Sequence, residues 1–147
     1  MKIHKIVLPH REEIVFPYRL VDGKPLPNTR LQIEQFSAAD AYLTPSEMAN
    51  FLITHLNDGR FNDKRILNAQ SIAEMHTQQY DHDYGLGFMI EKKNDKKLIW
   101  HSGGTAGFST HFLLDPETKS GVYIAANATR VQKSLIVLAK QALKVSK

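Results

Sequence analysis

The run Phe108-Ser109-Thr110-His111-Phe112-Leu113-Leu114-Asp115 alternates residue by residue, with Phe108, Thr110, Phe112 and Leu114 on one side. That is the period of a β-strand, not of a helix. On this pattern His111 falls on the other, less buried face. Pro116–Ser120 reads as a turn, and Gly121–Asn127 as a mostly apolar return strand. Working back, Gly103-Gly104-Thr105-Ala106-Gly107 reads as a flexible link and Leu98–Ser102 as a strand. Lys92–Lys97 then reads as a turn and Tyr84–Glu91 as the first strand of the series. Short loops between successive strands predict an antiparallel meander.

Helices flank this meander. Thr44-Pro45-Ser46-Glu47 is a capping box, with Thr44 as N-cap, Pro45 in the first turn and Glu47 reaching back to the N-cap amide. Met48, Ala49, Leu52 and Leu56 follow at helical spacing and Gly59 offers a left-handed stop, which predicts a helix from Pro45 to Asn57. A second helix is expected from Ala69 to Gln78, with Asn68 as N-cap and Ile72 and Met75 on its buried side. A last helix is expected after a Thr129/Gln132 capping box, with an apolar stripe of Val131, Leu135, Leu138, Ala139, Ala142 and Leu143. Residues 1–43 are loop-rich, punctuated by Pro9, Pro17, Pro25, Pro27 and Asp22-Gly23, with short strands expected near Lys2–Leu8 and Glu13–Leu20. The reading is α+β: an antiparallel β-sheet meander flanked by helices, with an irregular segment over 1–43 and an ordered α/β part over 44–147.

A chain of 147 residues fits one compact domain. With 42% hydrophobic and 23% charged residues, neither a disordered nor a fibrous protein is indicated. The net charge of +4 modestly favours anionic partners. The only dense basic cluster, Lys92-Lys93 and Lys96-Lys97, sits in an expected hairpin turn, so no nucleic-acid partner is expected. No cysteine is present, which removes disulfides, thiolate nucleophiles and thiolate metal ligands. No apolar run approaches the ~20 residues of a membrane span.

His76, His82, His101 and His111 lack metal-ligand spacing, and Asp81 and Asp83 around His82 read as a solvated loop. The Gly103–Gly107 run lacks the Lys-Ser/Thr of a phosphate loop. No metal and no cofactor are expected. Tyr84, Phe88, Trp100 and Phe108 read as core or cleft wall.

Six pieces, in order, resemble the serine β-lactamase-like hydrolases, the family of class C β-lactamases, D-alanyl-D-alanine carboxypeptidases and related esterases. They are Ser46-Glu47-Met48-Ala49-Asn50-Phe51 with Leu56-Asn57-Asp58-Gly59; Arg65-Ile66-Leu67; Ser71–Met75; Tyr84-Gly85-Leu86-Gly87-Phe88; Trp100–Ser109; and Asp115-Pro116-Glu117 with Val122–Asn127. The resemblance covers residues 40 to 145 and implies part of a β-lactamase/transpeptidase-like fold and acyl transfer. His101-Ser102-Gly103 looks like the family's third active-site motif. By resemblance these three are catalytic-site residues, His101 hydrogen-bonding or polarising groups beside the reacting carbonyl. Gly104 would supply one backbone N–H of the oxyanion hole. Imidazole is mostly neutral at pH 7 where the family's lysine is charged, which argues against efficient capture of a β-lactam carboxylate.

None of the eight serines is followed by Lys three residues on, and none of the five tyrosines by Asn two residues on. The family's Ser-x-x-Lys and Tyr-x-Asn motifs are therefore not in this sequence. In the family they lie N-terminal to the matching segment. The expectation is a C-terminal portion, inactive alone, whose partner is an N-terminal catalytic segment. Its substrate in the whole enzyme would be a peptidoglycan-like peptide, an ester or a β-lactam. The alternative is a binding or interaction module that kept the sheet and lost the chemistry. Self-association is expected, because a sheet edge and an apolar face would lack their usual cover. Family analogy suggests an extracytoplasmic or membrane-attached bacterial protein.

Overall fold

A computed structural model describes residues 15–28, 38–39, 41–80, 82–93 and 95–145. The expected strand near Lys2–Leu8 lies outside the described residues. The chain builds strands β1 (Tyr18–Val21), β2 (Lys24–Pro27), β3 (Arg60–Phe61), β4 (Lys64–Arg65), β5 (Met89–Lys93), β6 (Lys96–Thr105), β7 (Phe108–Asp115) and β8 (Ser120–Ala126). Helices are α1 (Pro45–Leu56), α2 (Ala69–Met75) and α3 (Gln132–Val145). β5-β6-β7-β8 form one antiparallel sheet in sequence order, the expected meander, and β1-β2 and β3-β4 are separate two-stranded ribbons.

α1 forms as its caps dictate. The Thr44 hydroxyl accepts from the Glu47 amide at 3.2 Å, and the Thr44 amide donates to the Glu47 carboxylate at 2.7 Å. At the other end Gly59 is left-handed as expected (φ 83°), Asp58 before it is left-handed as well (φ 51°), and the Gly59 amide closes on the Thr54 carbonyl at 2.8 Å. α2 begins where expected, with Asn68 Oδ1 accepting from the Ser71 amide at 2.6 Å, but stops at Met75. The amide of Leu86 takes the Met75 carbonyl, and the Gln79 amide turns to Tyr84 instead of extending the helix.

The sheet is covered on both faces. Leu52 of α1 packs with Phe88, Ile90, Ile99 and Leu114 on one side. Ala139 and Leu143 of α3 pack with Leu113 on the other, where Leu98, Trp100, Val122 and Ile124 add partly buried surface. This double cover corrects two expectations. On β7 the side with Ser109, His111 and Leu113 is the more buried, because α3 lies on it; His111 is 2% exposed. In α3 the buried stripe narrows to Leu135, Ala139 and Leu143, the i, i+4, i+8 line, while Leu138 and Ala142 face solvent.

The Thr129/Gln132 capping box does not form. The Thr129 amide donates to the Tyr18 carbonyl at 3.1 Å, and the Gln132 side-chain amide donates to the Gly103 carbonyl. The expected strand from Tyr84 shrinks to an isolated Tyr84–Met89 bridge followed by β5. The expected link at Gly103–Gly107 is instead the end of β6, with only Ala106-Gly107 turning. Segment 15–28 docks on the end of β8: the Tyr18 amide donates to the Asn127 carbonyl at 2.9 Å, and Asn127 Nδ2 donates to the Phe16 carbonyl at 2.9 Å.

Candidate active site

β6 is longer than its neighbour β5. β5 pairs with β6 only as far as Trp100, while β7 pairs with it out to Thr105. Residues His101–Thr105 therefore have β7 on one side and, among the described residues, no strand on the other. All four residues picked out by sequence lie on this overhang. Alternation separates them. His101 pairs with Phe112 and stacks on it (ring centroids 6.5 Å apart), so its imidazole lies on the α1 side of the sheet. Gly103 lies on that same side, where an added Cβ would press on the Thr110 hydroxyl.

Ser102 is not brought to the imidazole. Its neighbour relation is along the strand, and successive side chains leave opposite faces. Its hydroxyl lies 2.8 Å from Nδ1 of His111 on the α3 side. Gly104 is exposed, and a side chain there would meet the Gln132 amide at 3.2 Å. The two glycines thus have local packing reasons beside the close substrate approach that the motif suggests.

His111 is a buried neutral histidine: burial first, then Lys140 and His101, push its pKa down. Its Nε2 is buried with no hydrogen-bond partner among the described residues, so the Ser102 hydroxyl is the ring's one polar contact. A Ser102→Ala chain is expected to lose about 1–3 kcal/mol of stability, because the Nδ1 atom is left unpaired in the interior. The Ser102→Ala/His111→Leu double variant should recover most of that loss, since neither partner then remains unsatisfied. Urea unfolding of the three chains checks both statements.

Two contacts near the overhang were not legible as site features. Tyr84, read as core or cleft wall, brings its hydroxyl to 3.3 Å from Nε2 of His101, the rings meeting edge to face. Behind it, His55 Nδ1 of α1 and His76 Nε2 at the end of α2 lie 3.1 Å apart, enclosed by Phe51 and Phe88. Burial lowers both histidines to about 4; His76 also feels His55 and Lys97. A weak signal for the pair existed. His55 follows Leu52 by three and His76 follows Ile72 by four, which puts each on its helix's buried line. His82 and Asp83 are exposed, as a solvated loop requires, and Asp81 lies outside the described residues.

The model of the beta-lactamase family matches residues 5–147. The chain belongs to the beta-lactamase family. Its fold is also that of part of a solved relative, the octameric penicillin-binding protein homologue from Pyrococcus abyssi, at a TM-score of 0.61 and 21% identity. That likeness covers 92% of this chain and 32% of the relative, so the chain spans about a third of the relative's length. Among curated proteins none matches. The family match starts well before residue 40, where the recognisable motifs begin, and takes in the β1-β2 ribbon docked on β8.

Proposed function

We propose that this chain is the C-terminal part of a serine acyl-transfer hydrolase and is inactive by itself. It would contribute the His101-x-Gly103 edge and the Gly104 amide, while a separate N-terminal segment would bring Ser-x-x-Lys. The observation that carries this reading is the overhang of β6, five residues with no strand on one side among the described residues and with an imidazole and two glycines along it. A strand edge offers peptide-like amide groups to an extended substrate, and a neutral imidazole supplies a donor or acceptor without a fixed charge. A hydroxyl nucleophile needs a neighbouring base. The closest Ser–His pair, Ser102 with His111, is tucked under α3 on the opposite face and does not supply one beside His101.

The substrate class that fits is a carbonyl compound bound along a strand: a peptide of the peptidoglycan type, an ester or a β-lactam. Among the described residues no strand pairs with the outer edge of β8, and the segment at Tyr18 bridges only to Ala128 just beyond its end. Large apolar side chains such as Phe51, Val137 and Leu138 are exposed as well. The N-terminal segment would cover part of this surface, and the chain alone would self-associate.

The test is labelling by a fluorophosphonate and a fluorescent penicillin. The chain alone is expected to remain unlabelled and to elute as an oligomer. Mixed with a family N-terminal segment carrying Ser-x-x-Lys, it should form a complex in which that segment is labelled. Strong labelling of the 147-residue chain alone overturns the reading. A stable complex without labelling favours a binding module.

A further inference from the structure

The Tyr84–His101 contact rests on a backbone that is held from three directions. The Tyr84 amide donates to the His82 carbonyl at 2.6 Å and its carbonyl accepts from Gln79 at 2.8 Å. The next two residues are tied down as well, Gly85 to the Phe88 carbonyl at 2.7 Å and Leu86 to the Met75 carbonyl at 3.1 Å. The phenol is thus delivered to the imidazole by the end of α2, not by a free loop. On its other side the His101 ring stacks on Phe112. Nε2 is engaged by Tyr84, and Nδ1 makes no hydrogen bond among the described residues.

The direction of that hydrogen bond follows from acid–base chemistry. A phenol O–H, titrating near ~10, is a far better proton donor than a neutral imidazole N–H. The unprotonated imidazole nitrogen is in turn a better acceptor than a phenol oxygen. The favoured arrangement has the hydroxyl donating to Nε2, and the ring proton then sits on Nδ1.

We infer that Tyr84 is a positioning residue for His101: its hydroxyl holds the imidazole as the Nδ1–H tautomer and so presents an N–H donor on the β6 overhang. The consequence for specificity rests on the acyl-transfer reading above. At this point the site takes a substrate oxygen, a carbonyl or a carboxylate, and disfavours a cationic or N–H group. Tyr84 itself touches His101, not the reacting atoms.

The tautomer can be read directly in the 147-residue chain by nitrogen-15 long-range correlation NMR at about pH 8, where a histidine is neutral. His101→Gln identifies the resonances. The expected pattern is a protonated Nδ1 and a bare Nε2. In Tyr84→Phe the two nitrogens should exchange identities, toward the Nε2–H form that imidazole prefers in water, with the His55 and His76 signals unmoved. A protonated Nε2 in the unaltered chain overturns the inference, and that measurement stands even if the variant does not fold. An unchanged Nδ1–H pattern in a folded Tyr84→Phe chain overturns it too. Neither result bears on whether an N-terminal segment restores labelling, so the two proposals fail separately.

Discussion

Acid is expected to destabilise this protein across the interval from pH 6.5 down to about 4, with the His55–His76 pair a main source of the proton uptake on unfolding. Both histidines titrate near 6.5 in an unfolded chain and near 4 in the fold, because the interior between α1, α2 and Phe88 penalises their charged forms. The sign follows from proton counting. Above 6.5 neither state binds protons at these sites and the fold keeps its full stability. Below it the unfolded chain takes up protons that the fold refuses, so stability falls until the folded pKa is reached. Each histidine can cost up to about 1.4 kcal/mol per pH unit. Halved for the partial access of solvent, the pair together still removes about 3 kcal/mol over the interval, a large share of the roughly 5–15 kcal/mol of an ordinary domain.

Urea unfolding between about pH 8 and pH 4 measures this. His55→Phe/His76→Leu should keep the stability of the unaltered chain near neutrality, since apolar groups of similar shape replace both partners, and should lose most of the acid slope. His111, also held down by burial, leaves a residual slope of the same sign. A double variant as acid-sensitive as the parent would show that the pair is not the titrating element. The groups facing the pair are the Phe51 and Phe88 rings from α1 and the residue preceding β5, with Lys97 of β6 acting at longer range on His76.

What the sequence disclosed and what it hid divide along the range of the interactions. The Thr44 capping box, the Asn68 cap and the strand meander depend on residues a few positions apart, and all three appear in the structure. The Thr129/Gln132 pair had the same local signature and failed, because Tyr18, more than a hundred residues away, claims the amide, and Gly103 claims the glutamine. Period two correctly sorted β7 into two sets but could not say which set is the more buried. Two polar residues, Ser109 and His111, lie deeper than Phe112 because α3 covers them. Ser102 is a different kind of miss. Alternation already placed it opposite His101, and reading His101-Ser102-Gly103 as one motif obscured that. The His55–His76 and Tyr84–His101 contacts join positions 21 and 17 residues apart; local spacing signals only that His55 and His76 are each on a buried helix line, not that they meet, and it signals nothing of Tyr84 with His101.

Gly85→Ala is expected to be a severely damaging single-methyl change near the candidate site, and Gly87→Ala, two residues on in the same Tyr-Gly-Leu-Gly run, a mild one. Gly85 is buried, and a Cβ there would overlap the carbonyl oxygen of Met75 and sit 3.1 Å from the carbonyl oxygen of Thr77. Both obstacles are backbone atoms at the end of α2. The Met75 carbonyl cannot easily swing aside, because it is bonded to the Leu86 amide, and the Gly85 amide is itself held by the Phe88 carbonyl. Overpacking of this kind costs about 1–3 kcal/mol and more where nothing yields, so a loss at or above the top of that range is expected in urea. The strain should also carry Tyr84 away from His101, changing the His101 imidazole signals.

Gly87 has the opposite problem. Its φ is 83°, a conformation side chains resist, but beyond its chain neighbours no atom of the described residues lies within 4 Å of the added carbon. The cost is then the backbone preference alone, about 1–2 kcal/mol, with the His101 signals unmoved. If Gly87→Ala proved the worse of the two, or Gly85→Ala left the His101 signals in place, the end of α2 would not be what holds Tyr84 against the β6 overhang.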